Sequence, residues 1–381
     1  MPIVDPVALT QSLVTFNSVN PPGDEEACAR FLKTVLDELG FQTVLHRFGA
    51  RRFNLVATLA GRRGDAANGD ANAPLGFTGH LDTVPLGNAD WTQDPHGGRI
   101  VDGRLYGRGT SDMKAGIASF IAACAPMMDA LRDGSGLQLI LTGGEETGCD
   151  GAKALRAEQP ALLKQLGALI VGEPTENRVV IGHKGALWLK AVARGVTAHG
   201  AMPQEGVNAI YGAARAITRI QTFEMGEPHP RMGAPTLNVG TVAGGLNINS
   251  VPDHAEFSID MRTVPGIDHA CLTTRLHHHI GDVALSPIID LPSVYSDPEQ
   301  SWVARMTALA EDLVGPSGPV RTVQYFTDAA VLQPACGYPP TIIVGPGEST
   351  MAHKTDEYCR VDRLHQAVSL YGAILADWVQ Q

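Results

Sequence analysis

The chain has 381 residues, of which 44% are apolar and 18% charged, a composition typical of a globular protein with room for two domain cores. Its formal net charge is −11 and no block of Lys and Arg offers a phosphate footprint, so we expect neither nucleic acid nor an anionic membrane as a partner. Recognition of an anionic substrate must therefore depend on a few local cations.

The sequence carries no visible signal for export or membrane insertion. Its first ten residues, MPIVDPVALT, have neither a basic start nor a sustained apolar run, so we expect no signal peptide. The longest weakly polar run, residues 115–128, is too short to span a bilayer and contains Pro126. Six scattered cysteines without a C-x-x-C pair are typical of free thiols in a reducing compartment. Together these features predict a cytoplasmic protein.

The N-terminal region is predicted to be helical up to residue 40, with an interruption at Asn20-Pro-Pro-Gly23. Its second half, residues 25–39, has apolar residues at helical spacing. Two strands and then a polar loop follow, at residues 41–46, 54–59 and 62–74.

Three apolar strands then alternate with helical sequence. They are predicted at residues 75–78, 137–142 and 168–171, with a helix at residues 113–131 between the first two. This order is the signature of an α/β layer fold, in which ligands bind beyond the carboxyl ends of the strands. Each of these strands is followed by acids or histidine: His80 and Asp82, Glu145 and Glu146, and Glu173.

After Pro174 the strands alternate polar and apolar residues and are interleaved with helices predicted at residues 208–222 and 269–280. The strands of this region are predicted at residues 179–192, 236–241, 255–263 and 283–289. This pattern indicates an α+β lid inserted into the first domain.

Segments typical of a buried core return further along the chain, at residues 301–314, 320–325, 341–344 and 363–381. We therefore predict a catalytic domain in two parts, residues 1–178 and 293–381, separated by a lid at residues 179–292.

Seven residues are candidates for metal binding or proton transfer: His80, Asp82, Asp112, Glu145, Glu146, Glu173 and His353. One histidine with carboxylates could hold a single zinc ion, whereas two histidines and several carboxylates suit two metals roughly 3.5–4 Å apart. Since adjacent side chains point in different directions, either Glu145 or Glu146 could bind metal while the other acts as a general base. Taken singly, these acids could also be helix caps or solvated loop ends, but that reading does not explain why several of them follow apolar strands.

Other chemistries lack their motifs. Gly107-x-Gly109 would need glycine at position 112 to form a dinucleotide fingerprint, and Asp112 stands there. The motifs G-x-x-x-x-G-K-[ST], H-E-x-x-H and G-x-S-x-G do not occur, and no cysteine has a recognisable nucleophile context. The run His277-His-His279 is interpreted as part of a helix, where adjacent residues do not share a face.

Taken together, the motifs resemble those of the M20 metallopeptidases and amidohydrolases, in the branch that contains acetylornithine deacetylase, succinyl-diaminopimelate desuccinylase and carboxypeptidase G2. The resemblance extends over essentially the whole chain. It rests on Gly79-His-Leu-Asp-Thr-Val-Pro85, Gly107-Arg-Gly-Thr-Ser-Asp-Met-Lys114, Gly144-Glu-Glu-Thr147, Gly172-Glu-Pro-Thr175, Thr197-Ala-His-Gly200, Asn249-Ser-Val-Pro252, Asp260-Met-Arg262 and Ala352-His353. It implies a zinc-peptidase-like catalytic domain, with a mixed central sheet flanked by helices, and an inserted α+β lid that dimerises.

The resemblance also implies two divalent metal ions, with zinc as the default and cobalt or manganese as alternatives. His80, Asp112 and Glu173 would hold one ion. Asp112, Glu146 and His353 would hold the other, so that Asp112 bridges the two.

The remaining site residues are implied in the same way. Asp82 would orient His80, as metal-binding imidazoles require. Glu145 would be the general base, taking a proton from the water between the metals and passing it to the leaving amine. On the lid, which is expected to close over the substrate, His199 would reach the oxyanion, often from the partner subunit. Arg262 would bind the substrate carboxylate with help from Asn249.

Substrate choice is less well defined by the sequence. His183-Lys-Gly185 and the segments at 345–347 and 352–357 resemble the acetylornithine deacetylase branch, which makes Lys184 a candidate for substrate binding, with a purely structural charge as the alternative. Thr327-Asp328-Ala329 resembles a segment shared by that branch and the desuccinylases.

Our first hypothesis is a homodimeric amidohydrolase that removes a small acyl group from an N-acyl-L-amino acid with a free carboxylate. A desuccinylase, or a carboxypeptidase or dipeptidase acting on short peptides, is the alternative within the enzymes. A non-catalytic homologue that binds small molecules is the alternative from another class. The presence of Glu145 and of every implied metal ligand argues against this last reading.

Overall fold

A computed structural model describes residues 4–63, 73–316 and 321–380. Three predicted segments lie partly outside these ranges: most of the polar loop at 62–74, the first residue of the strand at 320–325 and the last residue of the C-terminal helix. The chain divides into two compact units. The first comprises Met1–Gly182, Tyr295–Arg321 and Thr327–Gln381, and the second comprises His183–Val294 and Thr322–Phe326.

The α-helices of the described residues are α1 (Pro6–Val14), α2 (Glu26–Glu38), α3 (Ala115–Cys124), α4 (Met128–Asp133), α5 (Asp150–Glu158), α6 (Ala209–Ile220), α7 (His269–Ile280), α8 (Ser301–Val314), α9 (Ala329–Ala335) and α10 (Val361–Gln380). The strands are β1 (Gln42–Gly49), β2 (Arg52–Ala60), β3 (Leu75–His80), β4 (Ile100–Val101), β5 (Arg104–Tyr106), β6 (Gly136–Thr142), β7 (Ala168–Val171), β8 (Gly182–His183), β9 (Gly185–Arg194), β10 (Thr236–Gly244), β11 (His254–Thr263), β12 (Ala284–Leu291), β13 (Val294–Tyr295), β14 (Thr341–Ile343) and β15 (Tyr358–Arg360).

The first unit is built on a six-stranded mixed sheet in the order β1-β2-β6-β3-β7-β14. The strands β6, β3, β7 and β14 are parallel, whereas β1 and β2 are antiparallel to their neighbours. Every residue of β3, β6 and β7 is buried, because helices flank this sheet. The predicted α/β layer fold with a mixed central sheet is confirmed.

The apolar segment after Asp112 forms the buried centre of this unit. Residues Thr110–Asp133 are long and apolar enough for a membrane span, but 78% of their most apolar window is buried inside the fold, as in the core helix of a soluble protein. The predicted single helix is interrupted by a 3₁₀ turn at Ala125–Met127. Pro126 explains the interruption, because it has no N–H to donate and its ring crowds the preceding turn.

The second unit has an antiparallel sheet in the order β10-β11-β9-β12. Alternate residues of β9 and β11 are buried, and helices α6 and α7 pack on that side, which is the predicted α+β arrangement. The chain enters the second unit after Gly182 and leaves it after Val294, and it returns there for Thr322–Phe326. The domain bounds at 178/179 and 292/293 stay a prediction.

Several short elements were not predicted, among them α5, α9, β4, β5 and β15. Where a strand was predicted at 320–325, the described residues 321–325 form an isolated bridge at Val323, and Thr322–Phe326 belongs to the second unit. Short segments such as these contain too few residues for their periodicity to be read reliably.

His183, in the second unit, makes the stability of the fold depend on pH. Its ring is fully buried, Nδ1 lies 2.9 Å from the Lys184 carbonyl, and Nε2 has no hydrogen-bond partner among the described residues. Burial lowers the pKa of His183 to about 4. The unfolded chain therefore binds this proton at a higher pH than the folded chain, and folding free energy is lost as the pH falls from about 6.5 towards 4, by up to about 3 kcal/mol.

We expect His183→Asn, which keeps a donor near the position of Nδ1 but does not titrate, to flatten this part of the stability profile. Urea unfolding at pH 7.5 and 4.5 measures the effect, and the exposed His278→Asn serves as the control. An equal loss of stability on acidification in His183→Asn and the wild type would show that another group is responsible.

Candidate metal centre

The carboxyl ends of three neighbouring strands gather the candidate ligands. Strands β6, β3 and β7 run parallel and side by side, so their carboxyl ends share one edge of the sheet. His80 is the last residue of β3, and Glu173 follows β7 after one glycine. Glu145 and Glu146 follow β6 after a Gly-Gly turn, in which Gly144 has a φ of +74° that favours glycine.

The first cluster consists of His80, Asp112 and Glu173. The Nε2 atom of His80 lies 3.0 Å from Oδ1 of Asp112 and 3.7 Å from Oε1 of Glu173. One ligand atom from each residue lies within 4.8 Å of the others. The imidazole is buried, and its Nδ1 donates to the Asp82 carbonyl oxygen at 2.9 Å, which leaves Nε2 for a metal ion.

The second cluster consists of Asp112, Glu146 and His353, again with ligand atoms within 4.8 Å of one another. The Nε2 atom of His353 lies 3.3 Å from Oδ2 of Asp112 and 3.1 Å from Oε2 of Glu146. The two carboxylate oxygens of Asp112 thus face different histidines, as a bridging ligand requires.

The carboxylates of the two clusters and of Glu145 strongly perturb one another's pKa values. Burial raises the pKa of Glu145 and of Glu173 well above the ordinary value, and neighbouring carboxylates raise each pKa further. Burial would also raise the pKa of Asp112, but hydrogen bonds from His353 and His80 more than offset it, so this pKa lies below its ordinary value. Hydrogen bonds to Asp112 and Glu146 raise the pKa of His353 to about 10.

Divalent cations fit this set of residues. Oε1 of Glu146 is buried and has no hydrogen-bond partner among the described residues, which is costly for a carboxylate oxygen unless a cation binds it. Imidazole nitrogens and carboxylate oxygens together suit zinc, cobalt and manganese. Cations at the two clusters would also relieve the repulsion between the buried acids.

Asp82 contacts both His80 and the turn that carries the glutamates, and its role in orienting His80 stays a prediction. Its main-chain carbonyl, rather than its carboxylate, accepts the hydrogen bond from His80, and the nearest carboxylate oxygen is 3.7 Å from Nδ1. The carboxylate accepts the main-chain N–H groups of Glu145 at 3.1 Å and Glu146 at 3.3 Å, and the Asn20 amide at 2.9 Å. Asp82 therefore holds the turn that presents the two glutamates.

A comparison with protein families identifies this arrangement. The model of peptidase family M20/M25/M40 matches residues 76–377, a range that contains both clusters. The chain belongs to the M20 family.

Two curated M20 relatives are similar over most of their length. Succinyl-diaminopimelate desuccinylase of Cereibacter sphaeroides is 33% identical over 396 residues, covering 99% of this chain and all of the relative. Acetylornithine deacetylase of Proteus mirabilis is 31% identical over 375 residues, covering 93% of this chain and 90% of the relative. As an M20 enzyme, the protein is a hydrolase of amide bonds.

Solved M20 structures share the fold. The metallo-carboxypeptidase Sso-CP2 from Sulfolobus solfataricus has a TM-score of 0.80 at 18% identity, covering 99% of this chain and 100% of that one. The YXEP protein of Bacillus subtilis, a dinuclear metal-binding peptidase, has a TM-score of 0.65 at 13% identity, covering 97% of both chains.

The second unit of this M20 protein carries the predicted substrate-binding residues. Nε and Nη2 of Arg262 donate to the two carboxylate oxygens of Asp260, at 2.9 and 3.2 Å, and the guanidinium lies 5.5 Å from the centre of the Trp188 ring. His199 pairs with Ser250 in an isolated bridge, which brings it next to Asn249 in the fold. These three predicted residues are thus ordered within one unit, and their roles stay predictions.

Lys184 makes a contact that suits its structural alternative, and its role in substrate binding stays a prediction. It is buried, and its ammonium group donates to the Ala234 carbonyl at 2.6 Å within the same unit. A lysine committed to a main-chain carbonyl is typical of a structural charge.

Sequence reasoning assigned no role to Asp328, which is buried near the two ligand clusters. The Thr142 hydroxyl donates to its carboxylate, burial raises its pKa to about 6, and its charge in turn raises the pKa of Glu145. The family-like segment Thr327-Asp328-Ala329 was the only signal for it, because sequence alone did not indicate that α9 begins beside the end of β6.

Proposed function

We propose that the protein removes a small acyl group from an N-acyl-L-amino acid by hydrolysing its amide bond. The observation that carries this proposal is the pair of ligand clusters sharing Asp112, with Glu145 buried beside them and not needed as a ligand. A site built only to bind metal would have no use for this additional carboxylate. The same observation argues against a non-catalytic homologue.

Two divalent ions, zinc by default, would be held by His80, Asp112 and Glu173 and by Asp112, Glu146 and His353. When bound, they would polarise the scissile carbonyl, stabilise the negative charge that develops on it and activate water.

Glu145 would act as the general base and then as the general acid. Burial raises the pKa of Glu145 well above its ordinary value, and a carboxylate that binds a proton more readily suits a group that takes a proton from water and releases it to the leaving amine. Its position is restrained because Asp82 accepts its main-chain N–H. Asp82 thereby supports the reaction without contacting the substrate.

The curated relatives favour two acyl groups, acetyl and succinyl. Our first reading is acetylornithine deacetylase-like, supported by the similarity to the Proteus mirabilis enzyme. The desuccinylase reading is supported at least as strongly, since the Cereibacter sphaeroides relative has a similar identity and covers more of the chain. The carboxypeptidase reading has only structural likeness below 25% identity behind it.

Arg262 would bind the free carboxylate of the substrate. Asp260 accepts hydrogen bonds from Nε and Nη2 of the guanidinium, and the Trp188 ring packs against the guanidinium. The Arg262 side chain is therefore held in place before substrate binds. The substrate carboxylate would then accept a hydrogen bond from Nη1. Because the arginine is already ordered, little conformational entropy would be lost on binding.

Amine release by the zinc- or cobalt-loaded protein tests this function on N-acetyl-L-ornithine, N-succinyl-diaminopimelate, other N-acyl amino acids and dipeptides. We expect chelator-sensitive hydrolysis of one N-acyl class. Arg262→Lys, which cannot offer the planar fork, is expected to raise KM about tenfold or more with a smaller change in kcat.

Arg275→Lys is the matched control, because Arg275 lies in the same unit, contacts an aromatic ring and donates to main-chain carbonyls. Hydrolysis of dipeptides alone would favour the peptidase alternative. No hydrolysis of any substrate with metal bound would contradict the proposed activity.

We also propose that the protein is a cytoplasmic homodimer that associates through the second unit. Large apolar side chains on this unit are exposed: Tyr211 and Val242 at 65%, Leu246 at 99% and Ile248 at 102%. Such a group is typical of an interface. The location is supported by the six cysteines, none of which forms a disulfide, and fractionation of cells would test it.

Light scattering on a sizing column measures the oligomeric state directly. We expect a mass about twice the 40.3 kDa of the chain, and the double variant Val242→Glu/Ile248→Glu to be monomeric. Ile288→Glu is the control, since Ile288 is 58% exposed but lies on β12 at the opposite edge of the sheet. A monomeric wild type would contradict the proposed dimer.

A further inference from the structure

The first unit contains a buried ion pair between residues 249 positions apart in the chain, Arg108 and Glu357. Both side chains are almost completely inaccessible, at 1% and 0% exposure, and Nη1 of Arg108 lies 2.7 Å from Oε2 of Glu357. Burying two charges is costly, and a hydrophobic pair of similar volume is often at least as stable. The hydrogen bonds of this pair indicate that it organises nearby loops rather than adding to the stability of the fold.

The Glu357 carboxylate organises the loop that carries Asp112. It accepts the main-chain N–H groups of Gly109 at 3.0 Å, Ser111 at 2.8 Å and Asp112 at 3.0 Å. Successive N–H groups that converge in this way form an anion-binding concavity, and here the protein supplies the anion itself. The last of these bonds fixes the main chain of the residue common to both ligand clusters.

The Arg108 guanidinium joins two further segments to the same point. Its Nη1 also donates to the Lys354 carbonyl at 3.1 Å, and its Nη2 donates to the Pro85 carbonyl at 3.0 Å. Lys354 follows His353 directly, and Pro85 lies three residues beyond Asp82.

His353 depends on such an anchor more than the other ligands do. Its side chain is 55% exposed, whereas His80 is 1% exposed and closely surrounded. Its main chain has a φ of +63°, which is unfavourable for a residue other than glycine and must be maintained by neighbouring contacts. The contacts at Lys354 and Glu357, one and four residues beyond His353, tie the main chain of this segment to Arg108 and to the Asp112 loop.

We propose that the Arg108–Glu357 pair is a positioning element that sets the separation of Asp112 and His353 and thereby the affinity of the second metal site. The inference rests on the proposed ligand set. Neither residue touches a metal ion or the substrate in this assignment. The pair joins the loop that carries Asp112, the segment that carries His353 and the segment at Pro85, so its loss should loosen the metal site before it unfolds the domain.

Glu357→Gln tests the inference, because it keeps the shape of the side chain but replaces one acceptor oxygen with a donor that faces N–H groups. Co²⁺ titration of the metal-free protein, followed by calorimetry and by the visible absorption spectrum of the ion, reports each binding step. We expect the affinity of one of the two binding steps to fall about 10- to 100-fold, the range typical for partners that hold metal ligands, with a changed spectrum.

Gln138→Met is the matched control for destabilisation. Gln138 is buried and makes hydrogen bonds to Thr58, Leu162 and Lys164, but it lies near the start of β6, at the opposite end of the strand from the ligands. We expect it to lower the melting temperature of the metal-free protein while the Co²⁺ affinities stay within about twofold of the wild type. A merely structural role of Glu357 would give the same pattern in both variants.

Asp112→Asn separates failure of this inference from failure of the proposed ligand set. Weakened Co²⁺ binding in Asp112→Asn together with wild-type binding in Glu357→Gln would overturn the inference alone. Wild-type binding in both variants would overturn the ligand set. Glu357→Asp replaces Glu357→Gln as the test if Glu357→Gln does not fold. It keeps the charge but is one methylene too short to reach all its donors, so we expect its affinity for Co²⁺ to fall at least about fivefold. Wild-type Co²⁺ affinity in Glu357→Asp would overturn the inference.

Discussion

Replacing Glu145 with alanine is expected to lower kcat by about 10²–10⁴-fold while both metal ions remain bound. Glu145 is buried beside the two clusters but belongs to neither of them. Its removal should therefore take away proton transfer and leave the ligands in place. Metal analysis by mass spectrometry and steady-state kinetics on the best substrate measure the two effects separately.

The adjacent Glu146→Ala is the matched control. Glu146 differs from Glu145 by one position and lies 3.1 Å from Nε2 of His353, so its loss should remove metal from the second cluster as well as activity. The two neighbouring substitutions are thus expected to give opposite results in the metal analysis. A kcat near that of the wild type in Glu145→Ala would show that another group is the base.

Replacing Asp112 with asparagine is expected to have the largest effect on metal content. Asp112 belongs to both clusters, and each of its oxygens faces a different histidine. Asparagine keeps the shape but removes the negative charge and one acceptor, so we expect fewer than one ion per chain in place of two. Since bound metal contributes several kcal/mol to the transition state, kcat should fall at least about 10³-fold.

Glu173→Gln and His353→Asn provide the comparison, because each residue belongs to one cluster only. They are expected to retain one ion at the intact cluster. The wild type should lose all activity with a chelator and regain it with zinc or cobalt. Two ions bound to Asp112→Asn, with the affinity of the wild type, would contradict the bridging assignment.

The sequence alone was sufficient to predict that the candidate ligands converge. Apolar strands followed by His80, Glu146 and Glu173 predict this because the carboxyl ends of parallel neighbours meet at one edge of a sheet, and the order of the strands in the sheet agrees with it. The second unit was predictable as a separate region because its strands alternate polar and apolar residues, whereas β6 of the first unit is mostly apolar and is buried along its whole length.

Partners distant in sequence required the tertiary structure. The carboxylate of Asp82 turned out to hold main-chain N–H groups of the glutamate turn, although its spacing from His80 suggested an orienting role for that imidazole. Lys184 turned out to donate to the Ala234 carbonyl, which no local pattern indicates. Periodicity records which face of an element is buried, but it does not record which acceptor a buried donor meets.

By itself, then, the sequence determined the ligand types, the strands that carry them and the family to which the chain belongs. The structure alone showed the hydrogen bonds around those ligands: from the glutamate turn to Asp82, from Thr142 to Asp328 and from the Asp112 loop to Glu357. The physical reason is that burial of apolar residues follows from local pattern, whereas a hydrogen bond between residues 249 positions apart depends on how the whole chain folds.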